Sequence, residues 1–285
     1  MKKCSSTRSS NRKDISFINF RTNPQASQPL FANVPSIMTS SFSLTRRTVV
    51  TIHNNGEGVG GNFNAFAIPA HLSAEDVNVI AVDWSPGASE YSLGLANAPQ
   101  VGQRTAEFIN VLITNFGYSA DMVRIVGVGL GAHIAGIAAR NVQGNVPHII
   151  ALDPSLHGWT HHPDKLSTDA ANLVEVLHTT AGELGYDFPL GHLDFYANGG
   201  TFQTGCSTDI SCSHIYSYAF YAESITREVN GGNSFIGTAC DGYQQAITLQ
   251  CTGDRDATFG GVSVKTGPTG VYIFLTNISP PFARN

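Results

Sequence analysis

The sequence predicts an α/β protein built on a mainly parallel central sheet with helices on both faces. Short apolar runs rich in β-branched residues recur along the chain, and stretches with helical periodicity lie between them. The chain has 285 residues and is 42% hydrophobic, which is enough for a sizeable core. No linker, repeat or low-complexity tract follows residue 14, so we expect a single domain.

The expected elements follow from local pattern. The predicted strands are 48–53, 77–83, 122–128, 148–153, 173–178 and 271–275. Helices are predicted at 99–116, with Pro99 near the first turn, at 130–141 and at 214–228. The second of these helices is small and apolar on nearly every side, so we expect it to be buried.

Charge is unevenly placed along the chain. Residues 1–13 contain five basic groups and no acid, which predicts a flexible basic tail ahead of a domain at 14–285. The formal net charge is −5, so the remainder is strongly acidic and a poor surface for nucleic acid. The basic start resembles the beginning of a signal peptide, but no apolar stretch follows it, and no run is long enough for a transmembrane segment.

The densest chemical signal is the glycine-rich turn at 127–131, which follows a predicted strand and opens a helix. Gly127-x-Gly129-x-x-Ala132 satisfies the dinucleotide fingerprint, and Asp153 ends the next strand, where a ribose-binding acid would lie. That fingerprint normally belongs to the first strand, whereas here at least two strands precede it. The other interpretation is the nucleophile elbow G-x-S-x-G, with Gly129 where the serine would stand.

Neither a metal nor a cofactor is predicted. A loop near Trp159 contains His157, His161 and His162, but it lacks cysteines and a clear fourth ligand. No CxxC pair occurs. Four cysteines fall in two close pairs, whose spacing alone suits either two short-loop disulfides or buried free thiols.

An ordered series of stretches resembles the pancreatic-lipase-like family, which includes neutral lipases, sn-1 phospholipases and insect yolk proteins. The matching stretches are VNVIAVDWS (77–85), GAH (131–133), IALDP (150–154), DA (169–170), VEVLHT (174–179), GHLDFYANGG (191–200), GC (205–206) and CSH (212–214). The resemblance implies an α/β-hydrolase fold and, in most members, secretion. We therefore expect an extracellular protein whose signal peptide is not visible in this chain.

The resemblance also implies the site. The family's catalytic acid and base match Asp153 and His214, and its nucleophile matches Gly129, which has no side chain to form an acyl-enzyme. Its oxyanion-hole donors match the backbone N–H groups of Asn55 and Leu130. The disulfides that it implies are Cys206–Cys212 and Cys240–Cys251.

Several departures from the family pattern fall at this site. Residues 53–55 read His-Asn-Asn where the family has His-Gly-aromatic, Val128 stands where most active relatives have His, and Gly129 replaces Ser. A laboratory knock-out would change the serine alone, so changes at several positions favour drift after catalysis was lost. The loop between Cys206 and Cys212 is also short, as in the sn-1 phospholipase and yolk-protein branches.

The sequence therefore predicts a catalytically inactive, secreted lipase-family protein. It would bind a lipid or another small apolar ligand in the retained cleft by apolar burial, or serve as a yolk-type storage protein. The alternative is an active carboxylic-ester hydrolase, a neutral lipase or sn-1 phospholipase in lipid metabolism, in which His214 and Asp153 activate water directly. The oligomeric state is left open.

Overall fold

A mainly parallel sheet forms the centre of the computed structural model, which describes residues 15–284. Its strands are β1 (Ser16–Phe20), β2 (Ser27–Leu30), β3 (Thr48–Ile52), β4 (Asn78–Asp83), β5 (Val123–Val128), β6 (His148–Leu152), β7 (Leu173–His178), β8 (Leu193–Ala197), β9 (Ile236–Cys240), β10 (Ala257–Thr258) and β11 (Gly270–Phe274). They are ordered β10-β9-β11-β8-β7-β6-β5-β3-β4-β1-β2. The strands from β4 to β11 in this order run parallel, and the outer strands pair antiparallel at both edges.

Helices cover both faces of this sheet, as predicted. They are α1 (Val34–Met38), α2 (Asn62–Ala74), α3 (Tyr91–Phe116), α4 (Leu130–Asn141), α5 (Ile210–Asn230) and α6 (Tyr243–Ile247). On one face α3 packs against α4, and on the other α2 packs against α5. Successive strand side chains alternate between the two cores: Val50 and Ile52 join the α3–α4 side, whereas Val49 joins the α2–α5 side.

Several element boundaries differ from the sequence prediction. The prediction that a helix begins at Pro99 is wrong, because α3 begins at Tyr91 and Pro99 lies inside it. The added turns contain Gly94, where a Cβ would lie 2.8 Å from the side chain of Leu130. The glycine therefore allows α3 and α4 to pack closely and does not mark a loop. Helix α5 begins at Ile210, before the predicted 214, because the side chain of Asp209 caps it.

Other elements were predicted closely or missed. Predicted residues 130–141 and 173–178 coincide with α4 and β7. The other predicted strands lie in place with ends shifted by one residue. Elements absent from the prediction are β1, β2, β8, β9, β10, α1, α2 and α6.

Some predictions concern residues outside this structure. The basic tail at 1–13 and Cys4 lie outside the described residues. Within residues 15–284, every helix is either too short or too polar to cross a membrane.

Candidate active site

The residues singled out from the sequence meet at the carboxyl ends of neighbouring parallel strands. Asn54 lies just after β3, Gly129 follows β5 and Asp153 follows β6. His214 is brought to the same place from the first turns of α5. Loops at this edge of a parallel sheet converge because all the strands point the same way, and ligand sites form there for that reason.

The turn at Gly129 has the geometry of a nucleophile elbow. Gly129 has φ 57° and ψ −118°, and it connects β5 directly to α4. The flanking glycines are required by close backbone approach: a Cβ at Gly131 would lie 2.1 Å from the carbonyl oxygen of Ile52. The turn therefore has the backbone shape of an elbow, while Gly129, the residue matched to the nucleophile, has no side chain.

Asp153 is fully buried and its carboxylate is saturated with hydrogen-bond donors. Oδ1 accepts the backbone N–H groups of Thr179 at 2.8 Å and Thr180 at 2.9 Å, and Oδ2 accepts the Thr180 hydroxyl and the ring of His214. Burial alone would raise the pKa of Asp153, but these donors, led by His214, hold it below its ordinary value. Asp153 is thus kept as a carboxylate facing the histidine.

His214 lies between Asp153 and Asn54. Its Nδ1 is 2.7 Å from Oδ2 of Asp153, and its Nε2 is 3.1 Å from Nδ2 of Asn54. The carboxylate can only accept, so the ring proton is on Nδ1, and Nε2 accepts a hydrogen bond from the Asn54 amide. His214 has the orientation of a general base in a catalytic triad.

Asn54 fills the centre of the site. Its Oδ1 accepts the N–H of Asn55 at 2.9 Å and the N–H of Leu130 at 3.0 Å, the two groups matched to the oxyanion hole. A Cβ built on Gly129 would lie 2.3 Å from Cγ of Asn54. One carboxamide therefore accepts from the two N–H groups matched to the oxyanion hole, fills the space that a side chain at residue 129 would need, and donates to Nε2 of His214.

In the sequence, Asn54 stands out only as a departure from the family pattern. Its chain neighbours do not reveal the contact with His214, which is 160 residues away. The signal that could have found it is the coincidence of an added side chain at 54 with a lost one at 129. Thr179 and Thr180, the donors to Asp153, were also missed as site residues.

A cleft of about 530 Å³ opens beside His214. It is lined by Asn54, Asn55, Glu57, Asn62, Tyr91, Ser155, His157, Leu184, Ser211, His214, Ile215 and Tyr218. Burial raises the pKa of the Glu57 carboxyl, although nearby His53 acts against the shift. A second cavity of about 500 Å³ lies at the amino ends of the parallel strands, beside Leu173 and Leu193, the first residues of β7 and β8. It is therefore away from this site, which lies at the carboxyl ends.

Both disulfides implied by the resemblance are present. Cys206–Cys212 closes the loop immediately before His214, and Cys240–Cys251 links the end of β9 to the segment after α6. Among residues 15–284, no three His, Cys, Asp or Glu side chains are grouped so that they could hold a metal ion. Asp169 pairs with Arg140 at 3.2 Å.

The fold, together with the Asp153–His214 pair beside the elbow at Gly129, is that of an α/β hydrolase. A sequence model of the lipase family matches residues 2–282. Human lipoprotein lipase is 32% identical over 255 residues, covering 79% of this chain and 53% of the relative. The inactive pancreatic lipase-related protein 1 of Mus musculus is 31% identical over 257 residues, covering 80% and 53% respectively. The chain belongs to the lipase family and spans about half the length of these curated relatives.

Solved structures give more distant matches. A lidless α/β serine hydrolase from Xanthomonas campestris is 12% identical with a TM-score of 0.36, over 57% of this chain and 64% of that chain. Esterase 2 of Thermogutta terrifontis, phosphonylated by cyclosarin, is 12% identical with a TM-score of 0.37, over 59% and 67% respectively.

Proposed function

We propose that this chain is a non-hydrolytic member of the lipase family that binds an apolar ligand in the cleft beside His214. The observation that carries the proposal is the Asn54 carboxamide, which lies where the serine side chain and the oxyanion would be. A site without a nucleophile and with its oxyanion hole filled has lost both the covalent step and the main stabilisation of the transition state.

The alternative, hydrolysis by water that His214 activates, needs a water within hydrogen-bond reach of Nε2. That nitrogen instead faces the amide nitrogen of Asn54 at 3.1 Å. An amide N–H is far too weak an acid to be the substrate of a general base at neutral pH. The arrangement therefore favours a pocket that binds over one that turns over.

The cleft has the size and lining of a small-ligand site. Its volume of about 530 Å³ lies within the range of pockets for small molecules, and Leu184, Ile215 and Tyr218 supply apolar surface. Relatives at about 30% identity are named lipases, so the ligand class that we propose is a lipid with an acyl or alkyl chain. If the protein instead had a storage role without any ligand, this cleft would have no function.

We further propose that the protein acts outside the cytosol. Its two disulfides suit an oxidising compartment, because reducing cytosol keeps such thiols free. Cys206–Cys212 lies next to His214 in the chain, so reduction would loosen the first turn of α5 together with the site.

Hydrolysis is the direct test of the catalytic half of the proposal. With a short-chain chromogenic ester, we expect the purified wild type to be no faster than His214→Ala, to within about twofold. The physical reason is that neither a serine nor a free oxyanion hole is available. Turnover in wild type that His214→Ala abolishes would show that the chain is an ester hydrolase after all.

Native mass spectrometry of the purified protein tests the binding half. We expect a co-purified apolar ligand in wild type and its loss in Ile215→Trp, because a larger ring at that position fills the cleft. Met38→Trp is the matched control, since Met38 is 72% exposed and does not line the cleft. Wild type without ligand, and with no affinity for added lipids, would favour the storage role.

A further inference from the structure

The two backbone N–H groups that would hold an anion beside His214 are already in use. The backbone N–H groups of Asn55 and Leu130 both donate to Oδ1 of Asn54, at 2.9 and 3.0 Å. Carboxylates and oxyanions are held in such sites by charge-assisted hydrogen bonds from N–H donors. With these donors paired inside the protein, an incoming carboxylate would lose its hydration and gain no bond from them.

His214 offers no substitute. A protonated histidine could pair with an acid, but its Nδ1 faces Asp153 at 2.7 Å and its Nε2 faces the amide of Asn54 at 3.1 Å. An anion would have to displace the Asn54 carboxamide from three hydrogen bonds before it reached the ring.

The rest of the lining carries no permanent positive charge, and its one histidine besides His214 is His157. The residues around the cleft include no lysine and no arginine, and they include the carboxyl group of Glu57. Oε2 of Glu57 is buried without a hydrogen-bond partner among the described residues. A further negative charge placed beside Glu57 and the occupied N–H groups would be desolvated next to an acid, which is costly.

We infer that the cleft selects uncharged lipids, such as monoacylglycerols, acyl esters or fatty alcohols, and rejects the fatty-acid carboxylate, because Asn54 occupies the anion position. This inference rests on the proposed function and names its ligand class. Asn54 is then a specificity-determining residue, because its carboxamide oxygen takes the two N–H donors that a carboxylate would need. An uncharged head needs no such partner and is bound by burial of its chain.

The test compares two probes with the same twelve-carbon chain, monolaurin and laurate, by calorimetry at neutral pH and below their micellar concentrations. We expect wild type to bind laurate at least about tenfold more weakly than monolaurin. In Asn54→Gly the two N–H donors become free, so laurate affinity should rise about tenfold or more, with a smaller change for monolaurin.

Two further variants keep the result interpretable. Glu57→Gln removes the facing negative charge without changing the shape of the side chain, and it should also raise laurate affinity. Asn115→Ala, at an exposed position of α3 away from the cleft, should change neither probe.

The possible outcomes distinguish a failure of this inference from a failure of the proposed function. Laurate binding as tight as monolaurin in wild type, or no gain for laurate in Asn54→Gly, overturns the selectivity and leaves ligand binding in place. If neither probe binds wild type, the proposed function fails and the inference fails with it.

Discussion

Replacing Gly129 with serine should leave the protein inactive on a short-chain ester, whereas Asn54→Gly combined with Gly129→Ser should restore hydrolysis. A Cβ at position 129 would lie 2.3 Å from Cγ and 2.4 Å from both amide atoms of Asn54. The serine would therefore clash with Asn54 or displace it, and the oxyanion hole would remain filled or distorted. We expect the double variant to be at least about 100-fold faster than either single variant, the usual effect of a working oxyanion donor.

The remaining parts of the site explain why two changes should suffice. Asp153 already orients His214 through a 2.7 Å hydrogen bond, and removing the Asn54 side chain exposes Nε2 to a serine hydroxyl. The elbow keeps φ 57° at residue 129, the strained conformation in which α/β hydrolases hold their nucleophile. The N–H groups of Asn55 and Leu130 would then be free to meet an oxyanion.

The controls identify which part of this argument fails. His214→Ala added to the double variant should abolish its activity, and a phosphonate probe should label the double variant on Ser at position 129. High activity in Gly129→Ser alone would mean that Asn54 moves aside readily and does not close the site. An inactive double variant that is folded would place the defect elsewhere, with Val128 the first position to test.

Much of the fold could be predicted because burial on two faces leaves a strong local pattern. Strand β5 is buried along its whole length, and α4 is buried through Ala139, so both are nearly continuous apolar runs, interrupted by Arg124 in β5 and by His133 in α4. The edge strand β2 has the sequence Ser-Gln-Pro-Leu with exposed residues, and α2 starts after glycines and contains Pro69. These elements are held by their neighbours rather than by their own propensity, so a local pattern does not reveal them.

The sequence pointed to residues that lie close together in the structure, but it did not reveal that the Asn54 side chain lies among them. Matching motifs placed Gly129, Asp153 and His214, and the structure brings these three together. The role of Asn54 depends on one side-chain rotamer that reaches Leu130 and His214, residues 76 and 160 positions away. No periodicity or spacing encodes such a contact, because it exists only after β3, β5 and α5 have been assembled.

Mild acid should destabilise this fold well before its carboxylates are protonated. His71 and His133 are fully buried, and burial lowers the pKa of each to about 3. His71 meets the hydroxyl of Tyr221 at 2.8 Å, and His133 accepts the N–H of Leu166 at 3.1 Å while donating to Ser155. Both rings are therefore neutral in the folded protein at any pH where it is normally studied.

In the unfolded chain the same histidines bind protons near pH 6.5. Between that pH and about 3 the unfolded state holds more protons, so the free energy of unfolding falls as the pH falls. Each histidine should contribute about 1.4 kcal/mol per pH unit once the pH is well below 6.5. Burial alone would raise the pKa of Glu175, but Lys265 and His148 hold it at about 2, so this acid adds to the loss only below about pH 4.5.

Urea denaturation at several values from about pH 7.5 to about pH 4.5 measures this slope directly. His71→Gln keeps a polar group for Tyr221 but cannot be protonated, so it should remove about 1.4 kcal/mol per pH unit from the slope, whatever it does to stability at neutral pH. His161→Gln is the matched control, because His161 is exposed and has no such burial to lose. An unchanged slope in His71→Gln would mean that this ring takes up its proton in the folded state, and therefore that the packing around it opens to water.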